Sequence, residues 1–211
     1  MVYVKWAFIL LFWGLLGAVL HYTLPQRDIG RITDTYEKRV DLDGENSLFW
    51  AQHDIGGSTT VTGRDVFFIQ SRLKNGKVMV YRNEDTGWSW PPYFKVNSSN
   101  LQAEASDLKS TAENPKWVVI RHYGWRNEFI SIFPNAVSVR PIADPDTRLI
   151  PWFNIVFLTV LAALFWAIWV RWRRFRQARI DPVLEDIGDS MEATGDAIAE
   201  KSGRFRRWLG R

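Results

Sequence analysis

Two short stretches hold most of the residues that could do chemistry. Glu84-Asp85-Thr86-Gly87-Trp88-Ser89-Trp90-Pro91-Pro92-Tyr93-Phe94 sets two carboxylates beside four aromatic rings. Prolines hold such rings in place, so they make a contact surface at low entropic cost. In His122-Tyr123-Gly124-Trp125-Arg126, a glycine permits a tight bend and a guanidinium can fork onto a carboxylate or another anion. The candidate binding surface is therefore Glu84, Asp85, Trp88, Trp90, Tyr93, Phe94, Trp125 and Arg126. The simpler readings compete with it. The aromatic loop can pack over a sheet end or rest on a membrane, and Arg126 can pair internally with Glu84 or Asp85.

Other chemistry is sparse. The chain has no Gly-x-Ser-x-Gly, no His-Glu-x-x-His and no phosphate-binding glycine loop. His21 reads as an interfacial residue, His53 lies in an expected loop, and His122 alternates with Ile120 along an expected strand as a structural histidine. Asp41-x-Asp43-Gly44 is a fragment of a calcium-loop pattern without its remaining ligands, and reads as a turn. The absence of cysteine removes disulfides, thiolate metal sites and thiol nucleophiles. No catalytic residue, metal or cofactor is assigned.

Two apolar runs place these residues. Trp152–Val170 carries no charge and is followed at once by RWRRFRQAR. A run of that length covers a bilayer core of ~30 Å at ~1.5 Å per residue. Trp6–Leu24 is the second, preceded by Lys5 and ended by Pro25. It has the outline of a signal peptide. The missing Ala-x-Ala site and the bulky Phe12–Trp13 pair in its middle favour an uncleaved anchor. Of the 27 Lys+Arg and 23 Asp+Glu in the chain, residues 25–151 hold 16 of each. Residues 171–211 hold 10 Lys+Arg against 7 Asp+Glu, five of the arginines within nine positions. A basic flank behind a span marks the cytoplasmic side, and a neutral domain argues against nucleic-acid binding.

The expected organisation is a cytoplasmic N-terminus (1–5), a first transmembrane helix (6–24), a periplasmic domain (25–151), a second transmembrane helix (152–170) and a cytoplasmic flank and tail (171–211). Both termini would lie in the cytoplasm, with the protein in a bacterial inner membrane as a multi-pass protein. The periplasmic part reads as roughly six short strands and one helix. Strands are expected at 29–40, Asp65–Leu73, Val78–Tyr81, Lys116–Tyr123, Phe129–Phe133 and Ala136–Ile142. Turns are expected at Asp41–Asn46 and at Lys74–Lys77, where Asn75-Gly76 is a hairpin signal. A helix over Ser99–Asn114 would start with a Ser99/Gln102 capping box. The implied fold is a small, mainly antiparallel β domain, barrel-like in the OB or SH3 manner.

Within the spans, Gly14 and Ala18, and Ala163 and Ala167, have the small-xxx-small spacing that lets helices approach closely in lipid. No charge lies mid-span, which argues against a transport path. Beyond the second span, Asp181-Pro182 reads as the start of a new amphipathic helix carrying Leu184, Ile187, Met191 and Ile198. Arg171, Arg173, Arg174, Arg204, Arg207 and Trp208 form an expected membrane-surface set, pairing arginines with lipid phosphate.

RITDTYEKRV (31–40), VYRNEDTGWSWPPYFK (80–95) and YGWRNEFISIFPNAVSVRPI (123–142) resemble a bacterial family of membrane-anchored proteins catalogued as a domain of unknown function. The flanking spans and RWRRFR look like the same family, so the resemblance extends over about residues 1–185. It implies an inner-membrane protein of Gram-negative bacteria with a small periplasmic β domain, and it brings no enzyme activity or catalytic residues. The leading expectation is a non-enzymatic inner-membrane protein whose periplasmic domain binds a partner or supports a membrane complex. Its partners would be membrane lipids and another membrane or periplasmic protein, not nucleic acid. The rival is a small-ligand sensor or hydrolase-like enzyme using the Trp88–Phe94 loop and Arg126.

Overall fold

In a computed structural model, residues 2–41, 63–87, 90–184, 187 and 190 are described. The elements are α1 (Val2–Thr23), β1 (Gln26–Asp41), β2 (Gly63–Leu73), β3 (Val78–Asn83), α2 (Ser98–Asp107), β4 (Val118–Tyr123), β5 (Asn135–Pro141) and α3 (Trp152–Phe175), with a π-helical turn at Arg176–Ile180. The chain divides into two units, Met1–Pro151 and Trp152–Arg211. The expected turn at Asp41–Asn46 beyond its first residue, His53, Trp88 and the tail with Arg204, Arg207 and Trp208 lie outside the described residues.

α1 and the helix over Trp152–Leu184, at 22 and 33 residues, are both long and apolar enough to cross a membrane. The sheet order is β1-β2-β3-β5-β4, and β1 also pairs with β4. Four of the pairings are antiparallel. The fifth, β3 with β5, is parallel and rests on one registered pair, Arg82 with Asn135. The sheet is thus mainly antiparallel, as the sequence pattern suggests, with one thin parallel seam.

The hairpin at Asn75-Gly76 forms. Gly76 sits at φ +82, and the Gly76 N–H donates to Leu73 O at 2.8 Å. Gly30 is where β1 passes from β4 to β2, facing Val118 on one side and Leu73 on the other. A Cβ there would lie 2.8 Å from the Arg72 carbonyl oxygen, so only glycine fits the crossing.

The core follows strand alternation. Val118, Ile120 and His122 of β4 are buried, together with Ile32, Ile69, Tyr81, Leu101, Ala105, Ala136 and Val139. A second cluster gathers Val66 and Phe68 with Tyr36, Val40, Val80 and Phe133. Tyr36 stacks on Phe68 at 5.2 Å. Each large side chain so buried stabilises the fold by about 1.5–3 kcal/mol.

Three expectations change. Phe129–Phe133 is not a strand. The Asn127 Oδ1 accepts the Phe129 N–H at 2.9 Å and the Ile130 N–H at 3.4 Å, which closes a tight loop bridged between Asn127 and Ile132. A side chain that hydrogen-bonds its own following backbone outcompetes the ladder that the FISIF alternation suggests. The α2 helix stops at Asp107 rather than Asn114, because Ser110 N–H donates to Ile32 O at 3.0 Å and the chain is captured by β1. Asp181 is not a cap. Its N–H donates to Arg176 O and its backbone stays helical, so the helix runs on through Pro182. The wider π turn removes the clash of the proline ring with the preceding turn.

Candidate functional site

The polar groups of the candidate surface converge where α1 meets the sheet. Strand β3 ends at Arg82-Asn83, Glu84 follows it, and all three side chains are buried. Arg82 pairs with Glu84 at 3.1 Å, with 4% and 7% of the side chains exposed. Removing one partner of such a buried pair is costly, because the other is left buried without compensation.

Asn135, at the start of β5 and fully buried, closes the seam. Its Oδ1 accepts the Glu84 N–H at 3.0 Å. Its Nδ2 donates to Glu84 O at 3.0 Å and to the Tyr123 hydroxyl at 2.9 Å. The side-chain amide therefore does the work of the ladder that the parallel β3/β5 contact lacks.

Lys95 lies on the other side of this group. Its Nζ donates to Asn83 Oδ1 and, at 3.1 Å, to Glu84 O. Burial pushes its pKa down to about 7, outweighing the opposite pull of Asp85 and Glu84 and helped by Arg82. Asn83 Nδ2 donates to Ser98 O at 2.8 Å and to Gln102 Oε1 at 3.0 Å, tying α2 to β3. Asp85 receives the Ser98 N–H at 2.9 Å and the Ser98 hydroxyl at 3.1 Å. The α2 start is thus capped by a carboxylate from outside the helix. Gln102, expected to close a capping box with Ser99, is spent on Asn83 and on Phe68 O at 3.3 Å.

The last turn of α1 is bound to the same end of the domain. The Gly124 N–H donates to Tyr22 O at 2.9 Å, Gly124 holding φ +90. The Tyr93 hydroxyl donates to Thr23 O at 2.7 Å, and its ring stacks on Tyr123 at 4.6 Å. Burial raises the pKa of both phenols, so they remain donors. Trp125 Nε1 donates to His21 Nδ1 at 2.8 Å, and its ring meets Tyr22 edge-on at 5.3 Å.

Arg126 does not pair with Glu84 or Asp85, which are held by Arg82 and Ser98. Its Nη1 donates to Asn127 O at 2.9 Å and to Ile132 O at 3.0 Å, and its guanidinium lies over Phe133 at 4.4 Å. Those carbonyls and that ring account for the guanidinium as a loop fastener. Of the remaining candidates, Trp90 and Phe94 are exposed and Tyr93 is half-buried. Gly14, Ala163 and Ala167 are exposed on their helices and Ala18 is half-buried. Arg171, Arg173 and Arg174 are exposed, with Arg173 stacked on Trp169 at 5.6 Å.

Sequence reasoning missed a second cluster. Asp28 Oδ2 accepts the Tyr81 hydroxyl at 2.6 Å and meets His122 Nε2 at 3.0 Å. Burial opposes ionisation of Asp28, but the His122 and Tyr81 bonds outweigh it and hold the carboxyl below its usual range. Asp28 also lines a cavity of about 500 Å³ with Arg27, Ile29, Leu73, Lys74, Asn75, Thr147 and Leu149. The β1/β4 register, which sets Gln26 opposite His122, brings Asp28 and His122 together, and Tyr81 reaches Asp28 from β3. Among the described residues no three His, Cys, Asp or Glu side chains gather as a metal site.

Residues 1–176 match the model of a family described as "Protein of unknown function (DUF1523)". The chain belongs to this family. An uncharacterised protein of Haemophilus influenzae is 40% identical over 163 residues, covering 76% of this chain and 87% of that relative. No solved structure matches the chain. The stretch matched to DUF1523 includes α1, the whole sheet and α3, so the junction of α1 with the domain lies within the family's span.

Proposed function

We propose that this is a non-enzymatic, two-span inner-membrane protein whose exported domain acts as a partner-binding or accessory module of a membrane complex. Both termini are cytoplasmic in this reading, and the arginines from Arg171 onward hold the second span's inner end. The observation that carries the reading is the junction. Three hydrogen bonds from Gly124, Tyr93 and Trp125 fix the last turn of α1 to the domain. An accessory module needs a fixed pose above the membrane, so that its surface meets a neighbour in one register. A freely tethered enzyme acting on a soluble ligand does not.

The groups that would serve catalysis are committed elsewhere. Glu84, Asp85, Lys95 and Asn135 hold β3, α2 and β5 together, and Arg126 closes its own loop. The ligand-sensor alternative through Arg126 therefore loses its anion-binding group. Crosslinking in intact membranes, followed by mass spectrometry, tests the proposal. A specific protein neighbour recovered through the exported domain or the spans is the expected result. Crosslinks to lipid alone, with no protein neighbour, would sink the accessory role.

A further inference from the structure

We propose that Trp90, Phe94, Trp125, Phe129 and Ile130 seat in the interfacial layer of the lipid leaflet from which α1 emerges, giving the exported domain a second membrane attachment. The inference rests on reading α1 as a transmembrane helix.

Height comes first. The 22 residues of α1 rise about 33 Å at ~1.5 Å each, against a hydrocarbon core of ~30 Å. A spanning α1 therefore ends with His21–Thr23 at the bilayer–water boundary. Trp125 is bonded to His21 and packed on Tyr22, while Tyr93 is bonded to Thr23 O. Both loops thus start at the level of that boundary. Phe94 adjoins Tyr93, Trp90 lies three residues before it, and Phe129 lies four after Trp125. Ile130 lies five after Trp125, so at ~3.8 Å per Cα step none of these residues is more than about 19 Å from those fixed points.

Exposure and chemistry agree with that level. Phe129 is 100% exposed, Trp90 70%, Phe94 53%, Ile130 40% and Trp125 38%. Trp and Phe rings lose most by facing water, and Trp gains most where an apolar ring and a polar N–H meet different media. The Trp90–Asn97 segment presents no exposed charge, because Lys95 is buried. In the other loop Arg126 is fastened to Asn127 O and Ile132 O, and Glu128 is exposed where it can stay in headgroup water.

The presentation is built rather than incidental. Thr86 N–H donates to Lys95 O at 3.0 Å, and Lys95 N–H donates to Thr86 Oγ1 at 3.2 Å. That pairing pins the backbone beside Phe94, which adopts φ +49, a region L-residues seldom occupy. Asn127 Oδ1 likewise takes the N–H groups of Phe129 and Ile130 and holds them at a loop tip. Rings fixed in advance lose little conformational freedom on entering the lipid.

The lack of cysteine in the chain makes the test direct. Single Leu11→Cys, Lys38→Cys, Phe129→Cys and Trp90→Cys variants of the full chain are spin-labelled in phosphatidylethanolamine–phosphatidylglycerol vesicles. Collision rates with oxygen and with a water-soluble nickel chelate are compared. All four positions are exposed, so labelling leaves the packing intact. Leu11 reports lipid and Lys38 reports water. The expected result is an oxygen-to-nickel ratio at Phe129 and Trp90 shifted from the Lys38 value towards that of Leu11. Ratios equal to that of Lys38, with Leu11 in lipid, overturn the inference and leave the spanning reading standing. Shielding from both reagents overturns it in favour of contact with a second copy of the chain. A nickel-accessible Leu11 overturns the spanning reading and the inference with it.

Discussion

Replacing Lys95 by methionine should remove a pH dependence from the stability of the β domain. Lys95 is 4% exposed, and burial lowers its pKa from 10.5 to about 7. The unfolded chain keeps this proton up to its ordinary value, whereas the fold releases it near neutrality. Between those limits the unfolded state binds more protons, so stability rises with pH; below about 7 both states are protonated and the slope vanishes. At ~1.4 kcal/mol per unit the full window is on the order of 5 kcal/mol, about 2–3 kcal/mol of it between pH ~7 and ~9. Tyr81, Tyr93 and Tyr123, raised by burial, work in the opposite sense only above about pH 10. The assay is urea unfolding of the full chain in detergent micelles from about pH 6 to about pH 9. It is read by near-ultraviolet circular dichroism. The wild-type midpoint should climb through this window while that of Lys95→Met stays flat. At the acid end the lost Asn83 hydrogen bond, about 1–3 kcal/mol, is set against relief of the buried charge, so the two midpoints should lie closest there and part as pH rises. Parallel profiles for the two proteins, or a wild-type midpoint that falls with pH, would refute the reasoning.

Other perturbations probe separate parts of the fold. Gly30→Ala places a Cβ 2.8 Å from a backbone oxygen and should cost about 1–3 kcal/mol in the same unfolding assay. Asp28→Ala leaves the Tyr81 hydroxyl and His122 Nε2 without their shared acceptor, at about 1–3 kcal/mol each. The wild type should lose the same contribution as acid protonates Asp28 below its ordinary 3.8, whereas the variant should show no such loss. Tyr93→Phe removes the bond to Thr23 O at a cost of about 1 kcal/mol. It should speed amide exchange at Gly124 without unfolding the sheet.

Much of the frame can be read from local pattern. The β-branched run behind Pro25 becomes β1, the Asn75-Gly76 pair turns β2 into β3, and the KWVVIRHY and AVSVRPI runs become β4 and β5. These signals are short-range, and the backbone obeys them. The misreadings share a cause, which is a side-chain partner that periodicity and spacing do not register. FISIF alternates like a strand, yet Asn127 folds it into a loop. Ser99 and Gln102 have capping-box spacing, yet Asp85 caps α2 from thirteen residues before Ser98. Arg126 and Glu84 look complementary, yet Glu84 is taken by Arg82, two residues before it at the end of β3. The burial of Lys95 and the meeting of Asp28 with His122 depend on register and on a seam with one parallel pair. Nothing in the neighbouring residues announces either.

The central claim is that the β domain is fixed to the end of α1 rather than tethered to it. The most direct measurement is the spin–spin distance distribution between labels at Leu11→Cys on α1 and Lys38→Cys on β1, in the full chain reconstituted into lipid. A single narrow distribution is predicted, because Gly124, Tyr93 and Trp125 clamp the helix end. A broad distribution in the wild-type protein would contradict the account, since a swinging domain could not present one surface to a neighbour.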